Sequence, residues 1–244
     1  MKTTQNLFLI IVFFFTISCK KEDTNGLVNK IYDNGPLSTG NLNSATPQDA
    51  APAGKSWSEI QLTNGFYGFG TTPNLSADDF IVPPGESWKI DSIKTYCYHS
   101  GYTLAVSPVY ATRIRIWKGE PDQVGSAIIV GDTSTNVLRS STSSNIFRIS
   151  KGDNNLLREI WENTSAFNSA ISLTLTEGVY WLEVVHYASN DFATYIPPVT
   201  VTGQLNKSGA NAITKNRTGG AYTKIADSNS DAIQDIPFKI YYRK

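Results

Sequence analysis

Asp227, Asn229 and Asp231 occupy alternate positions of Asp227-Ser228-Asn229-Ser230-Asp231, a D-x-N-x-D spacing that can turn several oxygens toward one hard cation such as calcium. The next residue is Ala232, where the sharp turn of an EF-hand loop requires Gly, and Phe238 stands where its bidentate Glu would be. An EF-hand is therefore excluded, which leaves a simple structural calcium loop or an ordinary solvated turn. Asp78-Asp79 is a second acidic pair, expected to enter a strand and to accept backbone N–H groups. His99 and His186 are the only histidines. Neither belongs to an HExxH pattern or a zinc spacing, and each is expected at the surface or at a strand edge. No G-x-S-x-G elbow, Walker loop or dinucleotide loop occurs. Glycoside hydrolysis needs two carboxylates set several ångströms apart, and among 21 acids the sequence singles out no pair. No catalytic residue is assigned, and no cofactor beyond the candidate calcium.

The five tryptophans and twelve tyrosines are the more suggestive chemistry, because a flat ring on a rigid strand can stack on the face of a sugar. Trp117 is the best placed. In Arg113 to Lys118 the residues Ile114 and Ile116 share one parity, while Arg113, Arg115 and Trp117 share the other. With the isoleucines in the core, Trp117, Arg113 and Arg115 become the candidate ligand-binding residues, the alternative being a Trp buried under a further layer. Asp91-Ser92-Ile93 resembles the O-glycosylation acceptor of Bacteroidota proteins, here inside an expected strand.

The elements that must position these residues read as strands. Asp79-Phe80-Ile81-Val82 runs into Pro83-Pro84-Gly85, a strand closed by a turn. From Trp88 to Tyr98, Trp88 and Ile90 share one parity and Ile93, Thr95 and Cys97 the other. Such a switch predicts a bulge near Asp91-Ser92. Ala127 to Val130 is short and apolar, as a central strand would be. Lys151-Gly152-Asp153-Asn154-Asn155 separates Asn145–Ile149 from Leu156–Trp161 with a hairpin signal. Leu156 to Phe167 is the one stretch that could hold a short helix. Ile171, Leu173 and Leu175 alternate with Ser172 and Thr174. Val179 to Tyr187 is apolar on both parities, so it should lie centrally with both faces covered. Pro197-Pro198 makes the following segment an edge or loop. The last strand alternates Phe238, Ile240 and Tyr242 against Lys239, Tyr241 and Arg243. The expected fold is all-β: an antiparallel, jelly-roll-like β-sandwich of about ten to twelve strands, with a closed barrel the lesser option.

Ahead of these strands lies a leader. Lys2 precedes the run Leu7–Ile17, apolar except for Thr16; at about 11 residues it is short of the roughly 20 that span a bilayer. It suits the h-region of a secretory signal. The run ends in Thr16-Ile17-Ser18-Cys19, which resembles the lipobox of bacterial lipoproteins. That resemblance implies cleavage before Cys19 and lipidation of its thiol and new amine. Lys20-Lys21-Glu22-Asp23 resembles the export signal of surface-exposed Bacteroidota lipoproteins. Residues 1–18 are thus expected as signal peptide, 19–55 as a lipid-anchored flexible linker rich in Asn, Ser, Gly and Pro, and 56–244 as a single domain. A first strand near Ile31 and Tyr32 is the alternative for part of the linker. Removing 1–18 takes away Lys2 and no acid, so 20 basic residues face 21 acidic ones, and no block of five like charges suggests a nucleic-acid partner. With Cys19 lipidated, Cys97 has no partner in the chain and is expected as a small buried apolar residue.

Ala77-Asp78-Asp79-Phe80-Ile81-Val82-Pro83, Trp88-Lys89-Ile90, Ile114-Arg115-Ile116-Trp117-Lys118-Gly119-Glu120-Pro121, Glu177-Gly178-Val179-Tyr180-Trp181-Leu182 and Pro237-Phe238-Lys239-Ile240-Tyr241 resemble a family of uncharacterised secreted bacterial β-domains. The resemblance covers roughly residues 57–242 and implies the fold, with no chemistry attached. The expected function is that of a non-catalytic, surface-displayed outer-membrane lipoprotein that binds or adheres, with glycan as the ligand class. A structural or accessory subunit of a cell-envelope complex is the alternative, and a hydrolase the second alternative.

Overall fold

A computed structural model describes residues 28–45, 50–168, 173–190 and 193–244. The cleavage site, Cys19, the Lys20–Asp23 cluster and Ile171 lie outside the described residues. Short runs of β-branched and aromatic residues, punctuated by Gly, Pro and Asn, form strands throughout, and no α-helix occurs among the described residues. The strands are β1 (Asn29–Asp33), β2 (Ser56–Glu59), β3 (Phe69–Gly70), β4 (Asn74–His99) and β5 (Val109–Lys118). They continue as β6 (Ala127–Gly131), β7 (Leu138–Ile149), β8 (Glu159–Ser165) and β9 (Thr174–Ala188). The last are β10 (Thr194–Ile196), β11 (Ile213–Asn216), β12 (Thr223–Lys224) and β13 (Phe238–Arg243).

β4, 26 residues long, organises the molecule. Its first half, through Val82, lies between β9 and β11, with Asp78 opposite Leu182 and Ala77 opposite Ile213. Its second half lies between β8 and β13, with Cys97 opposite Trp161 and Ile93 opposite Ile240. The strand therefore leaves one sheet (β6-β5-β9-β4-β11-β12) and enters another (β2-β7-β8-β4-β13-β1), which makes a corner of the kind that joins packed sheets. All pairings are antiparallel except β2 with β7, and the sheet does not close into a barrel. The result is an all-β sandwich in which the chain passes repeatedly between the layers.

Side-chain parity explains why the layers close. Phe80 and Val82 of β4, Ile114 and Ile116 of β5, and Leu182 and Val184 of β9 meet Ile93 and Cys97 of the second half of β4 and Phe238, Ile240 and Tyr242 of β13. Phe80 meets Phe238 edge-on at 6.1 Å between centroids, and Trp88 stacks on Tyr242 at 4.0 Å. Burying each ring of this size contributes on the order of 2–3 kcal/mol. The opposite parity is covered as well. Trp181, Trp117, Ala77 and Ile213 form an outer cluster under Tyr222, and Tyr96, Tyr98 and Ile160 form another under Leu37. β9 is accordingly central and buried on both faces, as its unbroken apolar run predicts.

The bulge also falls where the parity switch places it. Tyr241 pairs with Ser92 and Tyr242 with Ile90, so Asp91 is the extra residue in β4. The β7–β8 hairpin and the alternation of β13 hold likewise.

Four expectations are corrected. The linker does not extend to residue 55: β1 pairs with β13 from Asn29 to Asp33, and Leu37 and Asn43 are buried. The cause is that Tyr32 finds an aromatic socket against Phe80, Trp88 and Phe238, which outweighs the polar composition around it. Pro83-Pro84-Gly85 does not end its strand. The pairing with β9 resumes at Ser87 after a local excursion, in which Gly85 takes φ +77° and donates its N–H to Glu177 at 2.7 Å. The apolar run Ala127–Val130 is an edge strand, β6, with Ile128 and Ile129 44% and 43% exposed. Residues 159–165 are strand β8, not helix, because Ile160 and Trp161 are needed on opposite faces of the sheet.

Candidate functional site

A cleft of about 920 Å³ lies at the Asp91 bulge. It is lined by Lys89 to Ile93 of β4, Arg243 of β13, Thr135 to Val137 and Arg139 at the start of β7, Ser165 to Asn168 at the end of β8, and Leu173. The floor is apolar: Ile93, Val137 and Leu173 are buried, and Ile90 and Phe167 pack against the same core.

The rim is polar and held in place from behind. Asn136 accepts the N–H groups of Thr112 and Leu138 through Oδ1, at 3.1 and 3.0 Å, and donates to the Tyr110 carbonyl at 3.2 Å. Ahead of it, the Asp132 carboxylate accepts the N–H groups of Ser134 and Thr135, which fixes the turn. The Thr135 N–H, followed by the Ser134 and Thr135 hydroxyls, holds that carboxyl well below the usual range. Across the cleft, Arg243 forks onto Asp91, Nη2 to Oδ1 at 2.6 Å and Nε to Oδ2 at 2.9 Å. An exposed pair of this kind contributes about 0–1 kcal/mol, so its effect is to orient the two groups rather than to hold the fold.

Two lining side chains are left without partners: those of Lys89 and Arg139 make no hydrogen bond or ion pair among the described residues. The Ser165 hydroxyl also lacks a partner among them, but it is sealed by burial and is a cost of packing rather than a contact for a ligand. An apolar floor with a few convergent polar groups is the general form of a small-ligand site.

A second cleft, of about 480 Å³, is lined by Asp33, Tyr96, Glu162 and Lys239. Its charges are all paired: Lys239 meets Asp33 at 2.9 Å within the lining, and Glu162 meets Lys94 at 2.5 Å.

The residues expected from spacing sit elsewhere. Trp117 is 8% exposed, and its indole N–H donates to Glu183 at 3.1 Å. Arg115 forks onto the same carboxylate with two bonds of 2.7 Å and lies over the Trp117 ring, while the Tyr222 hydroxyl also donates to it. Arg113 is drawn to the Thr133 carbonyl and to the Tyr187 hydroxyl and ring. The parity of Trp117 is as expected, but β11, β12 and Tyr222 roof it over, so it offers no sugar platform. Asp227 is likewise occupied. Its carboxylate accepts the N–H groups of Gly65, Phe66, Asn229 and Ser230 at 2.9 to 3.1 Å, tying two loops together. Asn229 and Asp231 are exposed, and Asp231 takes φ 56°. The three residues therefore shape a turn, with the Asp227 oxygens already engaged.

His186 corrects the surface expectation: it lies fully buried in β9, its Nδ1 3.1 Å from the Thr112 hydroxyl, and burial pulls its pKa down to about 3, so the ring is neutral. His99 closes β4 as a strand-end residue. Cys97 is buried as expected, and burial pushes its thiol up to about 12, out of nucleophilic range. Asp78 accepts the N–H groups of Ile236 and Asp79, each at 2.9 Å, and the Asn34 side chain at 2.7 Å. Ser92 of the Asp91-Ser92-Ile93 motif pairs with Tyr241 and lines the larger cleft.

Nothing in local spacing marks Lys89, Arg139, Ser165 or Phe167, which come from three separate stretches of chain. The parity switch at Asp91 is the one sequence signal that points to the cleft. No protein-family model matches the chain, and no curated protein sequence is similar to it.

Proposed function

We propose that this protein is a non-catalytic binding module, displayed at the outer surface of the outer membrane by lipid on Cys19, with a glycan as its ligand. The observation that carries the reading is the cleft at the Asp91 bulge. Sugar rings present apolar faces edged by hydroxyls, and a floor of Ile93, Val137, Leu173 and Phe167 under a rim of Asn136, Lys89 and Arg139 complements both. Among the described residues one carboxylate lines the cleft, Asp91, and Arg243 holds it, whereas acid–base cleavage of a glycosidic bond uses two. The anchor follows from the leader: at about 0.8 kcal/mol per buried CH₂, more than one chain on Cys19 gives stable attachment. The test is a glycan array probed with the full-length protein in detergent. Retention of a glycan, lost when Val137 is replaced by Asp at the floor, supports the reading; an array with no retained glycan refutes it. Mass spectrometry of the native protein checks the lipid on Cys19.

The accessory-subunit reading has one observation in its favour. β6 is an open edge that exposes Ile128 and Ile129, and unpaired edges accept added strands. Recovery of an envelope protein that is lost when Ile128 is replaced by Lys would favour it.

A further inference from the structure

We infer that the cleft selects an anionic oligosaccharide, one that carries a carboxylate or sulfate on the sugar ring; this rests on the glycan-binding reading above. The lining holds three cations, Lys89, Arg139 and Arg243, against the single carboxylate of Asp91. Arg243 spends its fork on Asp91. The side chains of Lys89 and Arg139 are left with no partner among the described residues, and both line the cleft. A neutral sugar would leave both charges uncompensated, whereas an oxyanion in the cleft would take charge-assisted bonds from them.

Elsewhere most cations are held. On the outer face of the first sheet, Arg115 is held by Glu183 and Lys215 by Asp122, while Arg113 and Arg217 lie over the Tyr187 ring. The smaller cleft pairs its cation, Lys239, with Asp33. Lys30, Lys118 and Lys151 are also unpaired among the described residues, so what sets Lys89 and Arg139 apart is that both line one cleft.

The apolar floor decides between a free anion and a glycan. Ile93, Val137, Leu173 and Phe167 offer nothing to a small inorganic ion, but they accept the face of a pyranose. The anionic group therefore sits at the rim with the ring inward.

The experiment is calorimetric titration of the full-length protein in detergent with a panel of uronate and sulfated oligosaccharides, each paired with its methyl-esterified or desulfated form. An acidic member should bind, its neutral twin at least about tenfold more weakly, and added salt should weaken only the former. Arg139→Ala and Lys89→Ala should each lower the affinity for the acidic form about tenfold and leave the neutral form unchanged. Lys215→Ala, on the far face, should leave both unchanged. Equal binding of the two forms, or loss of affinity in Lys215→Ala to the same degree, would overturn the charge selection and leave the glycan reading standing. Binding of no panel member and no array glycan would overturn both.

Discussion

Arg148 is a guanidinium with no room to be wet and no carboxylate to pair with. It lies on β7 at 2% exposure. Its Nε donates to the Tyr67 carbonyl at 2.8 Å and its Nη2 to the Phe66 carbonyl at 2.9 Å. Its Nη1 donates to the hydroxyls of Ser58 and Thr200 at 3.1 and 3.0 Å. One side chain thus straps the 58–67 segment and the Pro198–Thr200 segment to the sheet. Burial pulls its pKa down to about 10, which leaves it charged at neutral pH. Replacing it by Met keeps most of the volume and removes every donor. The two hydroxyls can turn to other partners, since Thr200 already reaches the Pro198 carbonyl at 3.0 Å. The two carbonyls cannot, and each orphaned acceptor costs about 1–3 kcal/mol. After the apolar gain from Met, the expected net loss is about 2–4 kcal/mol. Urea denaturation of the full-length protein in detergent reads this as a lower midpoint at unchanged slope. A midpoint shift worth less than about 0.5 kcal/mol, the range of ordinary surface changes, would show that water serves these carbonyls and that Arg148 is not the strap.

Trp117→Ala should cost about 3–5 kcal/mol of stability, the range for a buried Trp, while leaving glycan affinity unchanged, as read by denaturation and by titration in parallel; a loss of affinity without a loss of stability would return Trp117 to the ligand. Asp227→Ala removes the acceptor of four backbone N–H groups and should cost about 2–3 kcal/mol, seen as a lower urea midpoint. Burial pushes the Asp227 carboxyl up, but those N–H groups outweigh it and hold the carboxyl below its ordinary value. Its contribution is therefore present above the ordinary carboxylate range and lost as pH falls through the depressed value, so the variant should show a flatter acid limb. Asp78 works in the opposite sense: burial, then the Asp235 charge, raise its carboxyl well above the usual range against the N–H groups of Ile236 and Asp79. Stability tied to it is full below the ordinary carboxylate value and falls as pH rises toward the raised one, and Asp78→Asn should remove that decline in denaturation midpoints measured across pH.

How much was legible depended on whether a signal was local. Parity is local, so the core faces of β5 and β13 and the bulge at Asp91 could be read from alternation alone, and the loss of alternation in Val179 to Tyr187 marked β9 as covered on both faces. Coverage is not local. Trp117 has the parity of an outward residue, and only β11 and β12, about a hundred residues away in the chain, decide that it is roofed. The same holds for Ala127–Val130, where an apolar run suggested a covered strand and the strand order left it at an edge. Asp227-Ser228-Asn229-Ser230-Asp231 shows the limit from the other side. Its spacing describes which oxygens could converge, but Gly65 and Phe66, from a distant loop, take the Asp227 oxygens first.

The cleft itself follows from one inserted residue. Without the bulge, Ile90 and Ser92 would share a face, and Ile93 would point to the opposite layer from the one it now joins. With Asp91 inserted, Ile90 and Ile93 both reach the core, and Asp91 is set against Arg243 at the rim. Bulged strands bend, and the cleft lies beside this one, lined also by the end of β8 and the segment that enters β7. Deleting Asp91 should therefore shift the register of the β4–β13 pairing, close the cleft and abolish ligand binding together. If such a deletion folded with wild-type stability and retained ligand, the binding site would have to lie on another face of the sandwich.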